Sequence, residues 1–396
     1  MPMKKILFIH HAAGWGGAPN CLVNLIRNLD SSKYESKVLL IKNSVVAEKL
    51  TEYGINFEVA ESEFYKKYYQ FFAHSEAGYI KWFHFYSFIK LSVFWVLSRY
   101  FYAPRELARH QFDFVHLNSS VLTDWLAPAK KKGKVIIHIR EPFRKGKWDF
   151  LHPFFKFQMI KYADQIIAIS KDNARRISIP SKTAIIYDFC DVPKEESLSS
   201  SYDSKLFLYL GGSSTSKGFY LLVDALDYLD KDVKVLFGGQ LVTSECPRNI
   251  LHKILFVLSK AKKRNASIKK IQNHPNAIAI GLIDNVDEYL KKVCCLVSPF
   301  SVPHFSCPVI EAHIHKKPAI GSDVEGMDEI IAHEKNGLIV PKNNPKALAA
   351  AINRVISDSG QAKIFGQDGY NIAIRKFTPQ NIKMFEKVYD SLLFDN

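Results

Sequence analysis

The run Leu206-Phe-Leu-Tyr-Leu-Gly-Gly-Ser-Ser-Thr-Ser-Lys-Gly218 decides how this chain folds. Its first five residues are apolar, which predicts a buried strand over Leu206–Leu210. Glycines and small hydroxyl-bearing residues then predict a tight loop, and the apolar spacing beyond it predicts a helix over Phe219–Leu229. A strand that passes through a glycine-rich loop into a helix is the repeating unit of doubly wound α/β proteins.

The same alternation extends in both directions from this loop. Before it, the pattern predicts strands at Ile6–His10, Lys37–Ile41, Phe114–Leu117, Lys134–His138, Gln165–Ile169 and Thr183–Tyr187, and helices over Ala18–Leu29 and Val46–Tyr53. After it, strands are predicted at Val233–Phe237, Ala277–Gly281, Cys295–Ser298, Pro318–Ser322 and Gly337–Val340, and helices over Lys253–Lys270, Val286–Lys292, Val309–His315, Gly326–His333, Pro345–Ser357 and Pro379–Phe394. This alternation is typical of parallel sheets covered by helices on both faces, which is the α/β class.

The chain has 396 residues, more than a single hydrophobic core usually holds. Residues 191–205 are rich in Ser, Glu and Asp, which predicts a linker between an N-terminal domain over 1–190 and a C-terminal domain over 206–378. Two doubly wound halves make the cleft between them the default ligand site.

Composition narrows the functional class. Hydrophobic residues make up 47% of the chain and charged residues 23%, which excludes disordered and collagen-like proteins. The net charge of +15 predicts an anionic partner, either nucleic acid, anionic lipid or a phosphorylated substrate. No nucleic-acid-binding signature accompanies the charge, so nucleic acid is not expected. The six cysteines form no Cys-x-x-Cys pair, and neither a signal peptide nor a membrane-spanning run is recognised, which together favour a cytoplasmic location.

Two glycine-rich loops follow predicted strands. Gly14-Trp-Gly-Gly17 lacks the third glycine of a nicotinamide dinucleotide fingerprint, and the alternative to a ligand-binding loop here is a simple tight turn. In the second loop Lys217 precedes Gly218, the reverse of the order in a Walker loop. Small residues and one lysine at a helix N-terminus still suit a diphosphate, and the alternative is a serine-rich surface turn.

A third segment, Ser298-Pro-Phe-Ser-Val-Pro-His-Phe-Ser-Cys-Pro-Val-Ile-Glu311, runs from a strand end into a helix near Pro308. Glu311 lies one turn into that helix and can accept hydrogen bonds from hydroxyl groups, or it can simply be a favourable charge on the helix dipole. The one Asp-x-Asp sequence, Asp230-Lys-Asp232, precedes its strand and so lies away from the carboxyl ends where ligands gather. No metal is predicted.

These segments, taken in order, resemble the retaining nucleotide-sugar glycosyltransferases of the GT-B fold, in particular glycosyltransferase family 4. The resemblance rests on Gly16-Gly17-Ala18, Ala163-Asp164 with Ile169-Ser170, Lys217-Gly218, Gly281, the Pro308-Val-Ile-Glu311-Ala segment, and Asp323 to Glu329 before Asn336-Gly337. It runs over almost the whole chain and is densest from Lys205 to Val340.

The resemblance implies two Rossmann-like domains that face a deep cleft, an N-terminal domain that binds the acceptor, and a final helix over 379–396 that crosses back to it. It implies a nucleotide-diphosphate-sugar donor, a glycan or lipid-linked saccharide acceptor, and no cofactor. Lys217 would contact the diphosphate and Glu311 the ribose. The donor-binding residues are then Gly16, Gly17, Gly212, Ser213, Lys217, Gly281, Leu282, Phe305, Ser306, Cys307 and Glu311.

Three positions depart from the family pattern. Gly212 stands where an arginine is usual, Pro303 stands where the first of two glutamates is usual, and Arg140 stands where a histidine is common. Backbone amides in 211–215 are expected to replace part of the missing phosphate contact. The residues predicted to take part in catalysis are His138, Arg140, Glu141, His304 and Glu311, and each histidine has a structural alternative.

An aromatic and basic segment over 61–105 interrupts the first half. It holds 17 of the 51 aromatic residues, and a second patch with the same character follows Phe143. Interleaved aromatic and basic residues suit a lipid headgroup boundary, and the alternative is a pair of helices packed on the N-terminal domain. The residues predicted to face the acceptor or an anionic membrane are Trp82, Lys90, Trp95, Arg99, Arg144, Lys145, Lys147 and Trp148.

The sequence therefore predicts a retaining, metal-independent glycosyltransferase of bacterial-type surface polysaccharide or glycoconjugate synthesis, peripheral on the inner face of the cell membrane. Two alternatives remain: an epimerase or hydrolase of nucleotide sugars with the same fold, and a non-catalytic subunit that binds nucleotides or glycans. The oligomeric state is not predicted.

Overall fold

The computed structural model describes residues 3–11, 14–80, 84–146, 149–194, 198, 202–243 and 260–394. The chain forms two compact units, one made of Met1–Asp191 with Phe377–Asn396 and the other of Val192–Lys376. Each unit contains a parallel sheet with helices packed on it, which confirms the predicted α/β class with two doubly wound sheets.

The first unit is built on a seven-stranded parallel sheet with the spatial order β3-β2-β1-β6-β7-β8-β9. Its strands are β1 (Lys4–His10), β2 (Tyr34–Leu40), β3 (Phe57–Val59), β6 (Phe114–Leu117), β7 (Lys134–Ile139), β8 (Gln165–Ala168) and β9 (Thr183–Ile185), and β4 (His74–Ser75) and β5 (Gly78–Tyr79) form a separate hairpin. Its helices are α1 (Gly17–Asn28), α2 (Val45–Glu52), α3 (Phe85–Leu97), α4 (Ala103–Ala108), α5 (Thr123–Lys130), α6 (Leu151–Tyr162) and α7 (Lys171–Ile177).

Alternate residues of the central strands supply two cores, because successive side chains of a strand point to opposite faces of the sheet. Ile6 and Phe8 pack with α1 and α2 on one face. Leu7 and Ile9 pack on the other face, where the aromatic segment 61–105 contributes buried rings such as Tyr65. The inner side of that segment is thus part of the hydrophobic core, as one of the two interpretations of its sequence predicted.

The second unit is built on a six-stranded parallel sheet with the order β12-β11-β10-β13-β14-β15. Its strands are β10 (Leu206–Tyr209), β11 (Lys234–Gly238), β12 (Ala277–Gly281), β13 (Cys295–Ser298), β14 (Ala319–Ser322) and β15 (Gly337–Val340). Its helices are α8 (Phe219–Ala225), α9 (Lys260–Asn273), α10 (Val286–Lys292), α11 (Cys307–Ile314), α12 (Pro345–Ser357) and α13 (Ser359–Lys376).

Several helical segments differ from the prediction, and α4, α5, α6 and α7 were not predicted. Residues 325–330 form turns and His333 forms a single bridge to Gly337, instead of the predicted helix over Gly326–His333, and Gly326 has φ +90°. Helix α13 was not predicted. Part of the predicted basic helix, residues 253–259, lies outside the described residues, and α9 begins at Lys260.

The last helix, α14 (Ile382–Phe394), belongs to the first unit. Phe385 and Tyr389 are buried in the same core as β1, and the Tyr389 hydroxyl lies 2.9 Å from Nδ1 of His116 in β6. The Phe385 ring also lies 5.6 Å from the ring of His138 in β7. The end of the chain therefore completes the core of its beginning.

This packing predicts that Phe385→Ala lowers the free energy of unfolding of the first unit by about 3–5 kcal/mol, because a cavity replaces a fully buried ring. All five tryptophans lie within residues 1–191, so tryptophan fluorescence during urea unfolding reports on this unit alone. Met384→Ala is the matched control, since Met384 is 48% exposed on the same helix. Equal losses in the two variants would contradict the packing described.

Candidate functional site

The loop between β10 and α8 is held by the loop that follows β13. Ser301 N–H donates to the Ser216 carbonyl over 3.0 Å, and its hydroxyl donates to the Thr215 carbonyl over 2.9 Å. Gly218 has φ +78°, and a Cβ at this position would lie 1.8 Å from the carbonyl oxygen of Pro299. Only glycine fits there, and the contact fixes where α8 begins and where the preceding residue, Lys217, is presented.

The backbone N–H groups of Gly212 and Ser213 bond to carbonyl groups of the protein itself. The Gly212 N–H donates to the Gly238 carbonyl over 2.9 Å and the Ser213 N–H to the Gln240 carbonyl over 3.1 Å. These two amides are therefore engaged within the protein, and the donor-binding role of Gly212 and Ser213 stays a prediction. A Cβ at Gly212 would lie 2.7 Å from the Gln240 carbonyl oxygen, so the loop has no space for the usual arginine.

Lys217 is the cation of this loop. Its side chain is half-buried, and burial lowers the pKa of its ammonium group. Among the described residues, no carboxylate oxygen lies within 4.0 Å of its Nζ. A partly desolvated cation without a counter-ion is costly, and an anionic ligand would remove that cost.

His304 lies in the loop after β13, beside Lys217 of the loop after β10. Its ring stacks on Phe300 with a centroid distance of 3.9 Å and an interplanar angle of 11°. Burial, together with the charge of Lys217, lowers the pKa of His304 to about 3, so the imidazole is neutral at physiological pH. A neutral imidazole can exchange hydrogen bonds with a hydroxyl or a phosphate, but it adds no second positive charge.

Helix α11 begins directly after this loop, with Ser306 as its N-cap residue. Glu311 lies four residues after Cys307, so both side chains are on one face of the helix. Burial raises the pKa of Glu311 to about 7, with a further contribution from the charge of Asp287. Among the described residues no group donates a hydrogen bond to its carboxylate. Glu311 is thus an acceptor that is held ready for hydroxyl groups.

Five further predicted donor residues lie on this edge of the second sheet or at the start of helix α11. Gly281 ends β12 with φ +70°, and nothing lies within 4 Å of a Cβ added there. The next side chain, Leu282, is 76% exposed. Phe305 and Cys307 flank the N-cap Ser306 and are buried. Because the carboxyl ends of parallel strands meet at one edge, these groups lie along the edge that carries Lys217.

The first unit gathers buried polar groups at the corresponding edge of its own sheet. Arg140 donates from Nε to Asn118 Oδ1 over 2.8 Å and from Nη1 to Asp188 Oδ1 over 2.6 Å. Asn118 Nδ2 lies 3.0 Å from Nδ1 of His10, at the end of β1. These side chains lie at or shortly after the ends of β1, β6, β7 and β9, and only Arg140 had been predicted as a site residue. The signal for the others was their place near the end of a strand.

The two neighbours of Arg140 in the prediction have different surroundings. His138 is fully buried in the core, with Nδ1 3.2 Å from Nε2 of His116. Its predicted catalytic role is corrected, because the ring has no access to a substrate. Glu141 is half-buried and accepts hydrogen bonds from the hydroxyls of Ser119 and Ser120 over 2.7 and 2.8 Å, so it anchors the turn after β6.

Gly16 and Gly17 begin α1 in the first unit. Gly16 is its N-cap residue, no side chain caps the helix, and nothing lies within 4 Å of a Cβ added at Gly16. Uncapped first-turn amides favour an anion or a polar ligand at this position.

The residues predicted to face an acceptor or membrane divide into several groups. Trp95 and Arg99 are corrected: both are buried, Trp95 Nε1 donates to Thr123 Oγ1 over 3.1 Å, and the Arg99 guanidinium lies 4.9 Å from the centre of the Trp95 ring. Arg144 is half-buried against the Tyr79 ring. Lys90 is half-buried and Lys145 is exposed. Trp82, Lys147 and Trp148 lie outside the described residues.

Two family models, taken together, match residues 15–372. Residues 15–192 match the model described as Glycosyltransferase Family 4, and residues 193–372 match the model described as Glycosyl transferases group 1. The boundary between the two matches lies within one residue of the boundary between the two units at Asp191 and Val192.

Individual proteins show the same relationship. An uncharacterized glycosyltransferase of Methanocaldococcus jannaschii is 26% identical over 242 residues, which are 60% of this chain and 62% of that protein. A capsular polysaccharide biosynthesis glycosyltransferase of Staphylococcus aureus is 26% identical over 124 residues, 31% of this chain and 33% of that protein. Both alignments span less than two thirds of the relative. The crystal structure of Anabaena HepE in complex with UDP and glucose covers 98% of this chain and 100% of its own, with a TM-score of 0.75 at 17% identity, which shows the common GT-B fold.

The raised pKa of Glu311 predicts a pH-dependent stability. Between about pH 4.5 and 7 the unfolded carboxyl group has lost its proton while the folded one keeps it, so this group destabilises the folded second unit as the pH rises. Glu311→Gln should match the wild type near pH 4.5 and exceed its stability at pH 8 by up to about 3 kcal/mol. Calorimetry measures this difference in stability. The unfolding transition of the second unit is the one that leaves tryptophan fluorescence unchanged, because all five tryptophans lie in the first unit. Glu288→Gln, at an exposed position, controls for the loss of charge. A difference in stability between Glu311→Gln and the wild type that does not change with pH would contradict the prediction.

Proposed function

This chain belongs to glycosyltransferase family 4, and we propose that it transfers a sugar from a nucleotide-diphosphate-sugar to a hydroxyl group of a glycan or lipid-linked saccharide. The observation that carries the proposal is Lys217, a half-buried ammonium without a described carboxylate within 4.0 Å, at the carboxyl edge of the second sheet. A diphosphate supplies the missing negative charge. Glu311, on the helix that begins beside Lys217, supplies an acceptor for the hydroxyls of a ribose.

In the proposed reaction the bond between the anomeric carbon and the diphosphate oxygen breaks, and a bond from that carbon to the acceptor oxygen forms. The leaving diphosphate takes the proton of the acceptor hydroxyl on the same face of the sugar, so the configuration is retained. Negative charge accumulates on the leaving oxygen as the bond breaks, and the Lys217 ammonium stabilises it. His304, neutral beside Lys217, is proposed to hold the sugar or phosphate by hydrogen bonds.

The donor and the product are inferred from the relatives. UDP is the first candidate for the nucleotide, because the Anabaena protein with the same fold was solved with UDP and glucose. A surface polysaccharide or glycoconjugate is the proposed product class, since the staphylococcal relative is a capsular polysaccharide biosynthesis glycosyltransferase. The cytoplasmic location stays a prediction that rests on the cysteine pattern of the sequence.

A nucleotide-binding protein without turnover is the second candidate. It is favoured by the loop that holds Lys217, in which the amides of Gly212 and Ser213 are already bonded to carbonyl groups of the protein. Release of free sugar or of an epimer in the absence of acceptor would instead identify a hydrolase or an epimerase.

Lys217→Ala is predicted to raise the Kd of UDP about 10- to 150-fold, the equivalent of one charge-assisted contact of about 1.5–3 kcal/mol. Transfer from UDP-sugars should fall at least as much, because the charge that stabilises the leaving group is lost. Calorimetric titration and a donor-consumption assay measure the two effects. Lys205→Ala is the control, since Lys205 is exposed and paired with Asp232. Unchanged binding of UDP by Lys217→Ala would contradict the assignment of Lys217 to the donor site. Normal binding of UDP by the wild type, without turnover of any donor, would favour the second candidate.

Transfer is also predicted to need no divalent metal. Asp232, in the chain's one Asp-x-Asp sequence, precedes β11 and pairs with Lys205, so it lies at the amino end of the strand and away from Lys217. Activity should therefore be equal with EDTA and with added Mg²⁺ or Mn²⁺. A loss in EDTA that Mg²⁺ restores would show that the reaction uses a metal.

A further inference from the structure

One face of α3 carries apolar side chains that point into solvent. Tyr86, Ile89, Val93, Val96 and Tyr100 are 80, 54, 47, 44 and 63% exposed. Their spacing of three and four residues places them in one stripe along the helix and the π-helical turn that continues it. The opposite face of this helix is buried in the core, so α3 is apolar on two sides and only one of them is covered by the unit.

Helix α6 presents a second stripe of the same kind. Phe150, Phe154, Phe157 and Ile160 are 54, 41, 54 and 43% exposed. The two helices touch, because the rings of Trp95 and Phe154 are 5.3 Å apart. We call the exposed apolar residues of these two helices and their adjoining turns the aromatic surface; its members are Phe85, Tyr86, Ile89, Val93, Val96, Tyr100, Phe101, Phe150, Phe154, Phe157 and Ile160.

The aromatic surface is concentrated in a small part of the chain. Its 11 residues are nearly half of the 24 large hydrophobic residues that are exposed among the described residues, yet they come from two short segments. Scattered exposed hydrophobic residues are normal in a folded protein, but a concentration of them on two neighbouring helices marks a surface suited to a partner.

The charge of these segments is of one sign. Residues 85–102 and 150–162 contain no Asp or Glu. Lys161 is exposed and Lys90 and Lys156 are half-buried, whereas Arg99 lies in the core. The Lys161 ammonium lies 5.6 Å from the centre of the Phe157 ring, so a cation borders the apolar stripe directly. Exposed aromatic rings with lysines beside them match the boundary between lipid tails and anionic headgroups.

We propose that the aromatic surface binds an anionic lipid bilayer, with α3 and α6 lying in the plane of the headgroups. No helix in the described part of the chain is long and apolar enough to cross a membrane, so attachment would occur at the interface. A second copy of the chain fits this surface less well. A two-fold contact would bring the lysines of both copies together, and these segments offer no carboxylate to pair with them.

The surface gives the proposed acceptor a location. A lipid-linked saccharide in the same bilayer would lie beside the first unit, whose sheet edge gathers Asn118, Arg140 and Glu141. This step rests on the proposed function, whereas lipid binding itself does not.

Vesicle flotation of the full chain tests the proposal. Wild-type protein should bind vesicles of phosphatidylcholine with phosphatidylglycerol, and bind pure phosphatidylcholine vesicles more weakly, with the difference reduced by high salt. The variant Ile89→Glu/Val93→Glu should lose about tenfold or more of its partitioning, because two apolar side chains become acidic. The matched control is Ile364→Glu/Met384→Glu, which makes the same charge change at side chains 56 and 48% exposed outside the aromatic surface, and it should stay within about twofold of wild type.

Tryptophan fluorescence and thermal unfolding confirm that both variants are folded. Equal partitioning of the two double variants would overturn the proposal, as would wild-type protein that stays unbound. Sedimentation without lipid tests whether a second copy of the chain binds the aromatic surface instead. A wild-type dimer that Ile89→Glu/Val93→Glu converts to monomer would assign the surface to a second copy and reject the bilayer.

None of these measurements needs donor or acceptor. Failed lipid binding with intact transfer to a soluble acceptor therefore rejects this inference alone, and lost transfer with intact lipid binding rejects the proposed function alone.

Discussion

The second unit depends on one close approach of two backbones, that of Gly218 to the carbonyl group of Pro299. Any Cβ at residue 218 would lie 1.8 Å from that oxygen, so the contact exists only because glycine has no side chain. It ties the loop after β10 to the loop after β13. Lys217 and His304 belong to these two loops, and they are neighbours for that reason. Strand pairing alone brings the loops to one edge, and the glycine sets the distance between them.

In the first unit, buried polar residues at the ends of the strands bond to one another. Arg140 and Asp188 form an ion pair whose side chains are 4 and 5% exposed, and Asn118 extends it to His10. Removal of one partner from such a pair leaves a buried charge, which costs more than the pair contributes. The network therefore fixes four strand ends relative to one another. His138 is excluded from it and packs in the core below.

The sequence predicts several strands with their observed bounds and misses the 18-residue helix α13. The observed β6, β12, β13 and β15 have the predicted bounds, since short apolar runs between turn residues have few other solutions. Helix α13 escapes prediction because Gly366 and Gly369 look like helix breakers. A Cβ at Gly366 would lie 2.1 Å from the Lys316 carbonyl oxygen, so tertiary packing requires the glycine that the local pattern penalises.

The candidate site shows the same division. Lys217 and Glu311 are found from sequence because each lies in a contiguous motif, whereas the network around Arg140 joins four strands that are far apart in the chain. In α3, residues on both faces are apolar, so periodicity cannot tell the buried Trp95 from the exposed stripe beside it.

The helix α14 has a consequence for synthesis. Ribosomes deliver the first unit's sheet and then the entire second unit before Phe385 and Tyr389 emerge. Until then the apolar groove that receives these rings is open to solvent, so the first part of the protein to be made is the last to be finished. The second unit, continuous in the chain, has no such delay. The core of the first unit can therefore be completed only after the whole second unit has been synthesised.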